Sequence, residues 1–244
     1  SSRDSTRRPR ALLVGTQSGY AGNEDGQEGG VAEMTFREKV QNLTTWQAVH
    51  DAAPPGTNLG GWQSHDECWR LTQDAMKLQP SDRALIIGLY AGSQAILCKL
   101  IEPECEVWGI DTFTNDTSWK AEGRHLCDVY AENVKLAGLE GKINLIEKPS
   151  QEVGPAWTLP LNWLLIDGSH ATEDAYLDLH YFAPHVVVGG ALFIDDMNKN
   201  GEVRPAYDRW FKEETETGRK WIVEHGDTND ETTVGKLWLL RRTV

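Results

Sequence analysis

The sequence lacks any apolar run approaching the ~20 residues needed to cross a bilayer, and no signal-peptide core is visible near its start. A membrane partner and secretion are therefore not expected. Positive charge is scarce: 24 Lys and Arg stand against 37 Asp and Glu, a net charge of -13 at pH 7. A surface that tracks phosphates needs the opposite balance, which argues against nucleic acid as a partner. Cysteine is sparse, and Cys68, Cys98, Cys105 and Cys127 show no CxxC spacing. Buried free thiols in a reducing cytoplasm are expected rather than disulfides. There is no G-x-G-x-x-G fingerprint: Tyr90 stands where the second glycine belongs, and Gln94 follows. Pyrophosphate binding is disfavoured, and no Tyr-x-x-x-Lys pair supports a nicotinamide-dependent oxidoreductase. No internal repeat or low-complexity tract is present.

What the 244 residues do contain is enough for one large α/β domain with an N-terminal extension. The chain begins with Ser1 rather than Met and reads as trimmed or excised from something longer. Residues 1–64 form the expected extension, and residues 65–244 the domain. The basic tail (Arg3, Arg7, Arg8, Arg10) reads as solvated and disordered. Residues 11–14 suggest a short strand, residues 19–30 a Gly- and acid-rich loop, and residues 33–52 a loose helical pattern stopped by Ala53-Pro-Pro-Gly56. Ten tryptophans is a high count. Core packing is the expected role, Trp108 and Trp163 lying in strand-like runs, while Trp46, Trp62 and Trp119 fall in polar or irregular segments where stacking on a ligand is the alternative.

From Asp82 a rhythm of strand, turn and helix begins. Strands are predicted over 84–89, 106–111, 143–147, 162–167 and 186–194. Helices are predicted over 65–78, from the first glycine turn through Leu100, and over 123–139, 172–182 and 201–216, with Pro205 in the first turn of the last. Residues 220–224 and 236–241 close the chain as two strands. The predicted fold is α/β: a Rossmann-like, doubly wound, mostly parallel seven-stranded sheet with one antiparallel strand near the C-terminus.

The chemistry lies at the strand ends. Leu164-Leu-Ile-Asp-Gly-Ser-His170 and Gly189-Gly-Ala-Leu-Phe-Ile-Asp-Asp-Met197 are apolar runs that each end in acid. At the C-terminal edge of an open sheet, where ligands bind, Asp167, Asp195 and Asp196 make a candidate hard-cation site with His170 as a base beside it. Blander roles compete: Asp167 as a helix cap, Asp195-Asp196 as a solvated strand end, His170 as a helix-start residue. The turn Gly88-Leu-Tyr-Ala-Gly92-Ser93 lets backbone approach a ligand and leaves helix N–H groups free. Asp111, about 20 residues after it, is placed to hold a ribose hydroxyl pair. Together these suit a nucleoside with a small tail. Glu173 and Asp174 suit a helix first turn, Asp178 a bond to backbone or a neighbouring loop, and His65, His125, His180 and His185 structural or surface positions.

On these motifs (Ile87-Gly88 with Gly92-Ser93, Gly109-Ile-Asp-Thr-Phe113, Ile166-Asp-Gly-Ser-His170, Asp178-Leu179, and Gly189-Gly190 through Asp195-Asp196) the chain resembles class I S-adenosylmethionine-dependent methyltransferases. More narrowly it resembles the macrocin- and mycinose-type metal-dependent sugar O-methyltransferases, over roughly residues 65–244. The resemblance implies that Gly88, Gly92 and Ser93 lie along the methionine portion of S-adenosylmethionine and Asp111 at the ribose, with Tyr90 and Thr112 also at the cofactor. It places Ser150 near adenine and Asp167 at the cofactor as well as the metal. Asp167, Asp195 and Asp196 would bind Mg²⁺ or another divalent cation, and His170 would be the general base. A homo-oligomer is implied in the same way. The family's acid two residues before the first glycine is here Ile86, so the methionine amino group needs another anchor. The expected activity is methyl transfer to a hydroxyl of a small molecule, a sugar or glycosylated natural product first and a catechol second. A catalytically inactive binding module is the rival from another class.

Overall fold

The structure is a computed structural model that describes residues 34–61, 63–114, 123–198, 201–226 and 237–244. The strand expected at 11–14, the loop at 19–30, Trp62 and Trp119 lie outside these residues.

Alternation along the strands sets the architecture. On β1 (Arg83–Ile87), Ala84 and Ile86 belong to one buried cluster and Leu85 and Ile87 to a second. The same period-2 split recurs on β4 (Leu161–Ile166), with Trp163 and Leu165 against Leu164 and Ile166. On β5 (Val186–Ile194), Ala191 and Phe193 oppose Leu192 and Ile194. A strand apolar on both faces must be covered on both faces. One cluster holds residues of α3 (His65–Ala75), α4 (Ser93–Ile101) and α5 (Leu126–Leu136). The other holds α7 (Thr172–Phe182) and α8 (Val203–Thr217). The remaining strands are β2 (Glu106–Asp111), β3 (Asn144–Glu147), β6 (Trp221–His225) and β7 (Trp238–Arg242); a short α6 (Ser150–Val153) follows β3.

The described residues form a seven-stranded sheet in the order β3-β2-β1-β4-β5-β7-β6. β7 runs antiparallel to both its neighbours, the single reversal expected from the sequence. The chain winds outward from β1 through β2 to β3, then returns to β4 on the other side of β1. The switch point between β1 and β4 opens the crevice where such sheets bind ligands.

Met34–Val244 form one compact unit. The loose helical pattern at 33–52 resolves into α1 (Phe36–Val40) and α2 (Trp46–Asp51), each capped by a threonine, Thr35 or Thr45. Val40, Trp46, Val49 and Leu59 lie in the same core cluster as β1 and α4. Trp46 is thus core, on α2, and Trp163 is buried against Phe193. All four cysteines are free; Cys68, Cys98 and Cys105 are buried and Cys127 is exposed. Among the described residues no helix is long and apolar enough to cross a membrane.

Candidate active site

Hydrogen bonds past the strand ends align the predicted residues. Gly88 N–H donates to Ile110 O (2.9 Å), Asp167 N–H to Ile87 O (2.9 Å) and Asp195 N–H to Ile166 O (3.0 Å). The ladder so extended sets Gly88, Asp167 and Asp195 side by side at one sheet edge. They border a cleft of about 820 Å³ that Tyr90, Ser93, Asp111, Thr112, Ser150, His170 and Asp196 also line.

Gly88 (φ +85°) is fixed by close approach: a Cβ there would lie 1.9 Å from the carbonyl oxygen of Asp167. Only glycine lets β1 and β4 end this close in a left-handed conformation. Gly92 (φ +86°) precedes α4, and a Cβ there would lie 2.7 Å from the Tyr130 ring. Between them Tyr90 also has positive φ. The carboxylate of Asp111 holds this turn. Its Oδ2 accepts from the N–H groups of Leu89 (2.7 Å) and Tyr90 (2.9 Å), and its Oδ1 accepts from Phe113 N–H (2.6 Å). A carboxylate has about four acceptor sites, so Asp111 braces the turn and retains about one for a ligand hydroxyl. Ser150 is buried at the start of α6. Thr112 Oγ1 lies 2.7 Å from Thr114 Oγ1.

Two of the three predicted acids, Asp167 and Asp196, converge with His170 on the other side of the cleft; Asp195 lines the cleft beside them but is not in that group. Asp167, Asp196 and His170 each bring one ligand atom within 4.8 Å of the others. His170 Nε2 is 2.7 Å from Asp196 Oδ2. Asp195 Oδ1 accepts from Asp196 N–H (2.8 Å), and Asp196 takes a strained φ of +55°. Burial pushes Asp167 well above the ordinary carboxylate range, and the charges of Asp195 and Asp196 add to this. Burial also raises Asp195, opposed by the Asp196 N–H and by Gln63. Partly buried carboxylates packed this way repel one another unless protonated or bound to a cation. Hard oxygen donors with one imidazole at this spacing fit Mg²⁺ or a similar divalent ion.

Two of the blander roles are not those seen, while His170 does stand just before α7 with an exposed side chain. The residue capping α7 is Ala171, with no side-chain cap, so neither Asp167 nor His170 serves there. Asp195 is 8% exposed and is no solvated strand end.

Several polar residues of the cleft were not singled out from the sequence, Gln63, Gln94 and Glu67 among them. Gln63 Nε2 donates to Asp167 Oδ2 (2.5 Å) and Asp195 Oδ2 (3.1 Å), and its Oε1 accepts from Gln94 Nε2 (3.2 Å). Gln94 follows the glycine turn on α4 and is buried. Glu67, one helical turn past Gln63, accepts from Ser64 in a capping box and from Leu237 N–H. The S-x-x-E pattern at 64–67 marks that helix start in the sequence; nothing local reveals that Gln63 reaches residues 104 and 132 positions away. Ile86 faces the core cluster, not the cleft. Asp178 is fully buried on α7 with its carboxylate beside the Ser150 side chain, although no bond of ordinary geometry forms there among the described residues.

Residues 85–197 match the family described as a methyltransferase domain. No curated protein matches the chain. Among solved structures, the O-methyltransferase NovP superposes with a TM-score of 0.54 at 17% identity, over 72% of this chain and 78% of its own. The O-methyltransferase TomG of Streptomyces achromogenes, solved in complex with S-adenosylmethionine, gives 0.52 at 14% identity, over 74% and 81%. An rRNA methylase of Streptococcus thermophilus gives 0.53 at 12% identity, over 76% and 100%. The chain has the Rossmann-like methyltransferase fold.

Proposed function

We propose that this protein is an S-adenosylmethionine-dependent O-methyltransferase acting on a small hydroxylated acceptor, a sugar or glycosylated natural product before a catechol, with a divalent cation at Asp167, Asp195 and Asp196. The observation that carries the reading is the convergence, in one cleft at the β1/β4 switch point, of a glycine cradle on one side and the acid cluster with His170 on the other.

The cradle fits the donor. Gly88 and Ser93 line the cleft on the side we assign to the methionine portion, Gly92 shaping the turn without lining it; Asp111 and Thr112 offer acceptors for the ribose, and Ser150 lines the part we assign to adenine. Bound S-adenosylmethionine supplies an activated methyl group; a divalent cation held by the acids supplies a Lewis acid that lowers the pKa of an acceptor hydroxyl and fixes its direction. His170 is the proton acceptor. With its Nε2 against Asp196, Nδ1 is the nitrogen that takes the hydroxyl proton, and the Asp196 carboxylate stabilises the imidazolium that results. The remaining contribution is alignment of acceptor oxygen with donor carbon.

A cleft of about 820 Å³ is in the range of small-molecule sites. With a net charge of -13, this reading favours such an acceptor over the RNA that the fold also serves elsewhere. A second reading of His170 has its own observation: its grouping with Asp167 and Asp196 within 4.8 Å suits a metal ligand as well as a base.

The test is methyl transfer from labelled S-adenosylmethionine to panels of sugars, glycosides and catechols, with Mg²⁺ and with chelator. Asp195→Ala is expected to abolish metal-stimulated turnover while sparing cofactor binding. His170→Ala is expected to cut turnover while sparing metal binding; loss of metal binding would move His170 into the ligand set. Unchanged turnover in either variant would overturn the assigned role.

A further inference from the structure

We infer that Gln63 is an additional ligand of the divalent cation, brought into play by a coupled reversal of the Gln63 and Gln94 side-chain amides. This rests on the metal reading given above.

The Gln63 amide lies among acid. Its Nε2 is 2.5 Å from Asp167 Oδ2 and 3.1 Å from Asp195 Oδ2. In an octahedral shell with metal–oxygen distances of about 2.1 Å, neighbouring ligand oxygens stand roughly 3 Å apart. The Gln63 terminus therefore already sits where a vertex next to Asp167 and Asp195 would fall, but it presents nitrogen. That orientation satisfies the two carboxylates without a cation, because an N–H donor neutralises part of their repulsion.

The second observation is an orphan. Gln94 is buried and its Oε1 has no hydrogen-bond partner among the described residues, while its Nε2 donates to Gln63 Oε1 over 3.2 Å. An unpartnered buried acceptor is costly. Reversing both amides about their terminal torsions keeps the Gln63–Gln94 bond, now from Gln63 Nε2 to Gln94 Oε1, and places Gln94 Nε2 where its oxygen lay, so the reversal leaves the pair's own hydrogen-bond count unchanged. The same reversal turns Gln63 Oε1 toward Asp167 and Asp195. Three oxygens then face one point, an arrangement favourable only with a cation between them. Gln63 thus acts as a donor to the acids without the ion and as a ligand with it, and Gln94, bonded to Gln63 in either state, follows the reversal.

The test is titration of the full chain with Mn²⁺ alone, followed by calorimetry and by the electron paramagnetic resonance of free ion, for the wild type, Gln63→Met and Gln94→Leu. Ligation predicts affinity at least about tenfold weaker in Gln63→Met, the scale on which groups around a metal matter, and a smaller loss in Gln94→Leu. If Gln63 only competes with the cation as a donor, Gln63→Met binds as tightly as wild type or more tightly; that overturns the inference and leaves the metal site standing. Absence of Mn²⁺ binding by the wild type removes both. Anomalous scattering from Mn²⁺-loaded wild-type crystals gives the same answer without a variant: Oε1 of Gln63 inside the metal shell supports the assignment, and its Nε2 facing the acids refutes it.

Discussion

Replacing Asp178 by Asn tests whether a buried carboxyl beneath the cleft limits stability at neutral pH. Asp178 lies on α7, fully buried, its carboxylate beside the Ser150 side chain but without a hydrogen bond of ordinary geometry among the described residues. Burial pushes it from 3.8 up to about 7, Ser150 partly offsetting this and Asp174 reinforcing it. The folded state therefore holds a proton that the unfolded chain releases near pH 4. The stabilisation is complete below 3.8 and is lost as pH rises through 7. With those two values, linkage gives about 2.7 kcal/mol remaining at pH 5 and close to none at pH 8. Asp167 and Asp195 titrate in the same sense, so the wild-type curve alone does not isolate Asp178. Urea unfolding of wild type and Asp178→Asn from about pH 5 to pH 8 does. The stability difference, wild type minus variant, is expected to fall by roughly 2–3 kcal/mol across that range. A difference that stays flat or rises with pH would refute the reasoning and mean that the carboxyl has a compensating partner.

Other consequences are sharper in geometry. Gly88→Ala adds a Cβ 1.9 Å from a backbone carbonyl at φ +85°; left-handed strain and overpacking together predict a loss of about 2–5 kcal/mol, and a denaturant midpoint within error of wild type would contradict the close approach of β1 and β4. Arg241 bridges Asp74 (2.5 Å) and Glu224 (2.9 Å), with Asp74 only 4% exposed. Arg241→Met leaves Asp74 with Lys77 (2.7 Å) and is expected to cost about 2–3 kcal/mol, read from thermal unfolding; a neutral result would show the pair to be dispensable. Because Asp167 and Asp195 are both raised, cation binding must displace protons and tighten with pH. Mg²⁺ titrations in buffers of different ionisation enthalpy should give buffer-dependent heats, and identical heats would mean the acids are already ionised.

Much of this was legible in the sequence because the decisive signals are local. Apolar runs such as Leu164–Ile166 and Ala191–Ile194 mark strands buried on both faces, and the acids that end them mark the sheet edge. β2, α7 and β5 were placed to the residue, and the single reversed strand followed from the short connection between the last two. Boundaries drifted where no cap announces an end: α3 stops at Ala75, three residues before the pattern fades at Leu78. Roles set by tertiary contact were hidden. Asp111 reads as a ribose acid, but its part in bracing the glycine turn shows only once β2 lies beside β1. Gln63 precedes a helix cap and reads as loop, although it lies among carboxylates that the chain supplies a hundred residues later.

The most direct test of the account is calorimetric titration of the purified protein with S-adenosylhomocysteine, with and without Mg²⁺. The account predicts saturable one-site binding in both conditions, because the glycine cradle and Asp111 are formed without the cation, and loss of that binding in Gly88→Ala protein that remains folded. No binding in either condition would contradict it, and the cleft would then belong to a module that keeps the fold without the chemistry.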